Sequence, residues 1–248
     1  TMFLLEGLPA ILLGIVVLFR MTDRPQSATW LDGEERAVLQ QALDREAEPA
    51  PDHLHGLTAA LRSLQVWRFA LMYFGVVMGN YGLSFWLPQI VKGFGGLSNA
   101  QTGLLTAAPY LAAAIGMYLW GHHSDRTGER LWHFVLPVGI ASLGFVAAAW
   151  IPGPAIQFTG LAIAIIGVSA AAPMLWNFPT RILRASAAAG GIALINSVGN
   201  LAGYAGPSVM GFVKQATGGY SGGMLVLAAA LATAVALAFS GPRPKASP

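Results

Sequence analysis

A series of long apolar stretches, almost free of charge, constrains this chain more than any other feature. They run approximately over 3–19, 67–91, 102–121, 132–151, 154–178, 187–213 and 222–240. A helix rises about 1.5 Å per residue, so about 20 apolar residues cross the roughly 30 Å of a bilayer's hydrocarbon. The last six stretches each reach that length. The first has only 17 residues before Arg20 and follows directly on Thr1. It reads as a truncated helix, and the beginning of the natural protein is expected to be missing. Only 10% of the 248 residues are charged, against about 25% in soluble domains. Mean hydropathy is +0.58. Such a chain lacks the polar surface that an ordinary soluble enzyme needs, and an all-α membrane protein is the expected class.

The charged residues sit between these stretches and set an orientation. Arg20, Arg24, Arg36, Arg45, Arg62, Arg68, Arg126, Arg130, Arg181, Arg184, Arg243 and Lys245 fall on one side if successive spans alternate. Only Lys92 and Lys214 fall on the other. Cytoplasmic loops are enriched in Lys and Arg, so the first set and the C-terminus are expected to face the cytoplasm. The formal charge of +3 is spread among these loops and forms no basic patch, so no nucleic-acid partner is expected. The absence of cysteine excludes disulfide and thiolate chemistry.

Four regions follow: a truncated span at 1–19, a charged linker at 20–66, a six-helix bundle at 67–240 and a tail at 241–248. Within the linker, Asp32 and Glu35 have the spacing of a capping box. They predict a short amphipathic helix to about Glu46, lying on the cytoplasmic membrane surface, followed by a flexible linker from Glu46 to Gly56. The six spans divide three plus three, an arrangement used by transporters.

The segment after the second of these spans reads Gly121-His122-His123-Ser124-Asp125-Arg126-Thr127-Gly128-Glu129-Arg130. It resembles the G-x-x-x-D-R-x-G-R-K loop motif of the major facilitator superfamily. There Gly121 is expected to permit a close helix crossing. Asp125 is expected to accept from helix N-terminal N–H groups or to pair with an arginine, in contacts that lock one face of the carrier. Glu129 departs from the motif, where a basic residue is usual, and is expected to weaken that lock.

Further segments are similar to the anion:cation symporter family. They are Glu6-Gly7-Leu8-Pro9-Ala10, Trp30-Leu31 with Glu34-Glu35-Arg36, Tyr81 to Pro88, Trp176 to Thr180, and Gly191 to Leu201. The family includes bacterial carriers of phthalate, tartrate, sugar acids, hydroxyphenylacetate and nicotinate. The resemblance implies a six-helix C-terminal bundle preceded by part of a sixth helix, in a bacterial inner membrane. It also implies proton-coupled uptake of a small organic anion by rocking of two bundles. The substrate's cationic anchor and the protonatable carboxylates would then belong to a missing N-terminal half.

The residues of this half supply uncharged hydrogen bonding. At 100° per residue Tyr73, Asn80 and Ser84 form one stripe. Asn196, Asn200, Gly203 and Pro207 share a face, as do Ser169, Pro173, Trp176 and Thr180; Tyr110 lies beside Thr106. Asparagines facing lipid would lack partners, so Asn80, Asn196 and Asn200 are expected to face the bundle interior or a water-filled cavity. Tyr73, Asn80, Ser84, Tyr110, Trp176, Asn177, Asn196 and Asn200 are the candidate substrate contacts, each with interhelical bonding as the competing reading. The resemblance places Asn196 and Trp176 at the central cavity. Gly199, Gly203 and Gly206 read as packing positions. Glu6 reads as an interfacial acid, and His122, His123 and His133 as solvated loop residues. No metal, cofactor or catalytic residue is expected. An intramembrane enzyme would need buried acid or base groups that the spans lack, and a structural anchor would need no polar stripes.

Overall fold

The computed structural model describes residues 2–46, 53–182 and 186–240. Among them, every long element is a helix. The chain divides into two units, Thr1–Ala50 and Pro51–Pro248.

The first unit holds α1 (Met2–Arg20), a 3-10 turn at Pro25–Ser27 and α2 (Gly33–Glu46). α2 starts where the capping pattern predicts. The Glu35 N–H donates to Asp32 Oδ1 at 2.8 Å, and the Asp32 N–H donates to Glu35 Oε2 at 3.1 Å. This reciprocal pair satisfies two donors that a helix start otherwise leaves open. The side chain of Glu6 lies outside the described residues.

The second unit contains α3 (His53–Arg62), α4 (Leu64–Lys92), α5 (Asn99–Thr127), α6 (Leu131–Trp150), α7 (Pro154–Ile182), α8 (Ser186–Thr217) and α9 (Ser221–Phe239). α3 corrects the sequence reading, which extended the linker to Gly56: residues 53–56 already belong to a helix that packs on α8. The six long helices match the six apolar stretches, and α4, α5, α7 and α8 run past them. α4 begins at Leu64, and α5 continues through Asp125 and Arg126. Five of them, all but α8, are long and apolar enough to cross a membrane. α8 has the length, at 32 residues, but Asn196, Asn200 and its glycines lower its hydropathy.

Local chemistry sets the turns. Ser98 and Gln101 form a second reciprocal box at the start of α5, with bonds of 3.2 and 2.9 Å. Gly128 closes α5 at φ +66°, a conformation that glycine adopts without strain.

α4 is the central element, packed by α5, α7, α8 and α9, while α6 packs on α7 and α9. Phe69, Met72, Leu83 and Leu87 of α4 are fully buried, with Phe134 and Phe145 of α6 and Leu227 and Leu231 of α9. In hydrocarbon, burying apolar surface gives little drive for association, so helices hold by close contact and by hydrogen bonds. Both occur here. A Cβ on Gly144 would lie 2.6 Å from the Gly160 carbonyl oxygen, and one on Gly160 2.6 Å from the Gly144 oxygen. The α6–α7 crossing therefore has no room for a side chain at either position. Between α6 and α9, the buried Ser142 hydroxyl donates to the Ala228 carbonyl at 2.8 Å.

Gly144→Val should lower the thermal midpoint of the detergent-purified chain, with an overpacking cost on the order of 1–3 kcal/mol. Gly139→Ala, on the same helix with nothing within 4 Å of the new methyl, should leave the midpoint unchanged or raise it. Equal losses in the two variants would refute the close-crossing account.

Candidate functional site

The candidate residues gather into two constellations and one local pair. On α4, Ser84 follows Asn80 by one turn, and its hydroxyl donates to Asn80 Oδ1 at 3.2 Å. Tyr110 of α5 reaches across and donates to Ser84 Oγ at 2.8 Å. One hydrogen-bonded line thus joins α5 to α4. On α8, Asn200 Nδ2 donates to the Asn196 carbonyl at 2.8 Å and to Asn196 Oδ1 at 2.6 Å. Asn80, Asn196 and Asn200 are all exposed on the bundle's surface.

Tyr73 belongs to the second constellation. It lies edge-on to Trp176 of α7, with ring centroids 5.0 Å apart. Its ring presses on Gly199 of α8, where a Cβ would collide with Tyr73 Cδ1. Gly199 lies between Asn196 and Asn200, so the aromatic pair sits beside the amide pair. Gly206 packs backbone to backbone, with its Cβ position 2.6 Å from the Met78 oxygen of α4. Asn177 is half-buried and reaches the Pro173 carbonyl of its own helix at 3.4 Å; the sequence stripe of α7 is described only in part, because the Thr180 side chain lies outside the described residues.

The Gly121–Arg130 segment is arranged differently from the reading of it as a loop. Residues through Thr127 are helical, and only 128–130 form the turn. Gly121 is not at a tight crossing: its Cβ position meets only Met174 Cε, at 3.9 Å. Asp125 takes the second of its two expected roles, accepting from Arg130 Nη1 at 2.7 Å. The same nitrogen donates to Ser124 Oγ at 2.8 Å, and the buried Ser124 hydroxyl donates to the Glu129 carbonyl at 2.9 Å. Arg126 is exposed. The departure from the motif, Glu129, takes the helix-capping role. Its carboxylate accepts from the N–H groups of Trp132 at 2.9 and 3.0 Å and of His133 at 3.2 Å.

His133 is a correction. Its relative exposure is 6%, so it is not a solvated loop residue. One ring nitrogen, Nδ1, lies 2.9 Å from Glu129 Oε2, and the other, Nε2, lies 2.7 Å from His123 Nδ1. The Trp120 indole donates to the His133 carbonyl at 2.8 Å and packs against both imidazoles. Burial pushes the Glu129 carboxyl up. The Trp132 N–H, the His133 ring and the His133 N–H outweigh that and hold it below its ordinary value. Among the described residues, no group of three or more His, Cys, Asp or Glu could hold a metal.

The profile of the Major Facilitator Superfamily matches residues 1–207 and 96–248. The chain belongs to this superfamily. It is 43% identical over 98% of its length to an Agrobacterium vitis protein named for tartrate transport, covering 55% of that protein. It is 34% identical to a quinolone resistance transporter of Acinetobacter baumannii, over 91% of this chain and 52% of that protein. It is 33% identical to a Pseudomonas putida protein named for metabolite transport, over 93% and 53%. The chain spans about half the length of the curated relatives it matches.

Sequence reasoning missed the polar contacts at the bundle's opposite end. Trp86 donates to the Pro207 carbonyl at 3.0 Å, and Lys214 Nζ lies over the Trp86 and Tyr220 rings at 4.9 and 4.6 Å. A tryptophan near a helix end is itself a membrane-interface signal, and it was available in Trp86.

A carboxyl whose value is depressed by folding stabilises the fold above its unfolded value, and that contribution fades as pH falls through the folded one. Glu129→Gln should therefore flatten the fall of thermal midpoint below about pH 4.5, the ordinary glutamate value. An unchanged acid slope would show that the cap on α6 is not coupled to folding.

Proposed function

We propose that this chain is the C-terminal half of a secondary active transporter. It carries a small organic anion (an aromatic acid, sugar acid or dicarboxylate) inward with protons, by alternating access. Its helices stand in a bacterial inner membrane, with the Asp125–Arg130 end and the C-terminus in the cytoplasm. The other half is a six-helix bundle that closes over the face bearing Asn80, Ser84, Tyr110, Asn196 and Asn200.

That face carries the reading. Amides exposed on otherwise apolar helices cannot be left against lipid without cost, whereas a water-filled cavity between two bundles satisfies them. The groups suit an oxygen-rich solute. An amide N–H or a tyrosine O–H donates to a carboxylate or hydroxyl, and Trp176 with Tyr73 offers an apolar wall for a ring or carbon chain. Among the described residues no ionised side chain joins them, and we assign the countercharge of the anion to the other half. The tartrate name of one relative fits this solute class. The Asp125–Arg130 pair, held by Ser124, supports the assignment of the gate to this end: such a contact must break when the bundles rock.

Asn196→Ala in the full-length carrier should weaken binding of a carboxylate substrate by roughly tenfold, the loss expected for one hydrogen bond to a charged group. Thermal-shift titration against a panel of carboxylates would read it, with expression as the control. Loss of folding without a selective binding defect would assign Asn196 to interhelical bonding. Reconstituted alone, this chain should not accumulate labelled substrate in liposomes. Uptake at the rate of the full-length carrier would refute the two-bundle reading.

A further inference from the structure

The carrier reading makes no use of the buried imidazole at the Asp125 end. His133 is enclosed, bonded at both ring nitrogens, and tied on one side to a carboxylate and on the other to a second histidine. The geometry points to a proton-holding site outside the central cavity: Glu129, His133 and His123 form a clasp between α5 and α6 that stays shut with one proton between the facing imidazole nitrogens and opens when both carry one.

Proton counting carries the argument. Glu129 Oε2 is an acceptor only, so His133 Nδ1 is the donor in that contact. His133 Nε2 and His123 Nδ1, 2.7 Å apart, can be bonded only if one carries a proton and the other a lone pair. This is met when both rings are neutral, with His123 donating. It is also met after uptake of one proton, with a single imidazolium shared next to the Glu129 carboxylate, and a charge-assisted bond of this kind is shorter and stronger than a neutral one. A second proton places two N–H groups head to head with two positive charges behind them. The contact then has no bonding arrangement and must part.

The other charged and titratable groups near this pair are few, and those described have partners of their own. The Glu129 carboxyl is held below its ordinary value by the Trp132 N–H, the His133 ring and the His133 N–H. Arg130, the next residue of the turn, is engaged by Asp125 and Ser124 of α5. His122 turns aside and stacks on Tyr118, ring centroids 6.3 Å apart. α6 has no other titratable side chain and α9 has none. α7 carries only Arg181, whose side chain lies outside the described residues. Arg68 of α4, which packs on α5, lies over Phe69. Opening the clasp acts on the gate motif directly, since the Ser124 hydroxyl holds the Glu129 carbonyl and the Arg130 guanidinium at once.

The test needs no substrate and uses the 248-residue chain in detergent micelles, so its failure leaves the carrier reading standing. With ¹⁵N-histidine labelling, a coupling across the N–H···N bond between His123 and His133 should be present near neutral pH and vanish reversibly in acid. Amide exchange at Trp132 and His133, corrected for the intrinsic rate, should lose roughly tenfold protection between about pH 8 and about pH 5, the size of one bond to a charged group across the histidine range. His123→Asn, a change at an exposed residue, should fold and lose that acid response. The inference is overturned if no coupling is seen at any pH, if it persists with both rings protonated, or if His123→Asn keeps the wild-type response.

Discussion

Hydrocarbon offers no partner to a peptide group, and this constraint shapes the chain more than any single contact. Each N–H and C=O in the apolar stretches has to find its mate inside the chain, which selects helices of spanning length. The same solvent removes the usual drive for helices to associate, because lipid tails are as apolar as leucine. What remains is intimacy of contact. Gly144 and Gly160 let α6 and α7 meet backbone to backbone, and Gly206 does the same between α8 and α4. Hydrogen bonds at sites such as Ser142 then fix the register. A larger residue at these crossings separates the helices and forfeits dispersion contacts along their length.

Polar groups are distributed by the cost of their exposure. Charges collect at the ends of the helices, where water is near. Uncharged amides and hydroxyls lie along the lengths of α4, α5 and α8, already bonded to one another as Tyr110–Ser84–Asn80 and Asn196–Asn200. Such pre-bonding has a consequence for recognition. At the proposed substrate face, a solute that takes a bond from Asn200 would compete with Asn196, so binding there would exchange one hydrogen bond for another. The selectivity gained is for solutes that make stronger, charge-assisted bonds.

The helices, their approximate ends and the α2 cap were legible because each follows from local rules: hydropathy over 20 residues and an acid at the cap. The α4 and α8 polar stripes were legible for the same reason, since Asn80 with Ser84 and Asn196 with Asn200 are one turn apart on single helices. What was not legible depends on which helices meet. Tyr73 lies on the Asn80 stripe by angle, yet its partners are Trp176 and Gly199 on two other helices. α3 was missed because His53–Arg62 is short and mixed in polarity. His133 was misread because its three-residue separation from Arg130 suggests a loop, whereas the burial comes from Trp120 and His123 on the preceding helix.

Glu129 brings these strands together. A basic residue at this position could not accept the Trp132 and His133 N–H groups, and would place a positive charge at the positive end of the α6 dipole. The acid reverses both effects, so the Trp132 and His133 N–H groups in the first turn of α6 are satisfied. Its carboxylate also orients His133 so that the far nitrogen points at His123. Meanwhile its carbonyl is held by Ser124, which the Asp125-bound Arg130 also grips. Glu129 therefore leaves no gap at this turn. In the proposed clasp it sets beside the Asp125–Arg130 ion pair a contact whose strength depends on how many protons two histidines hold.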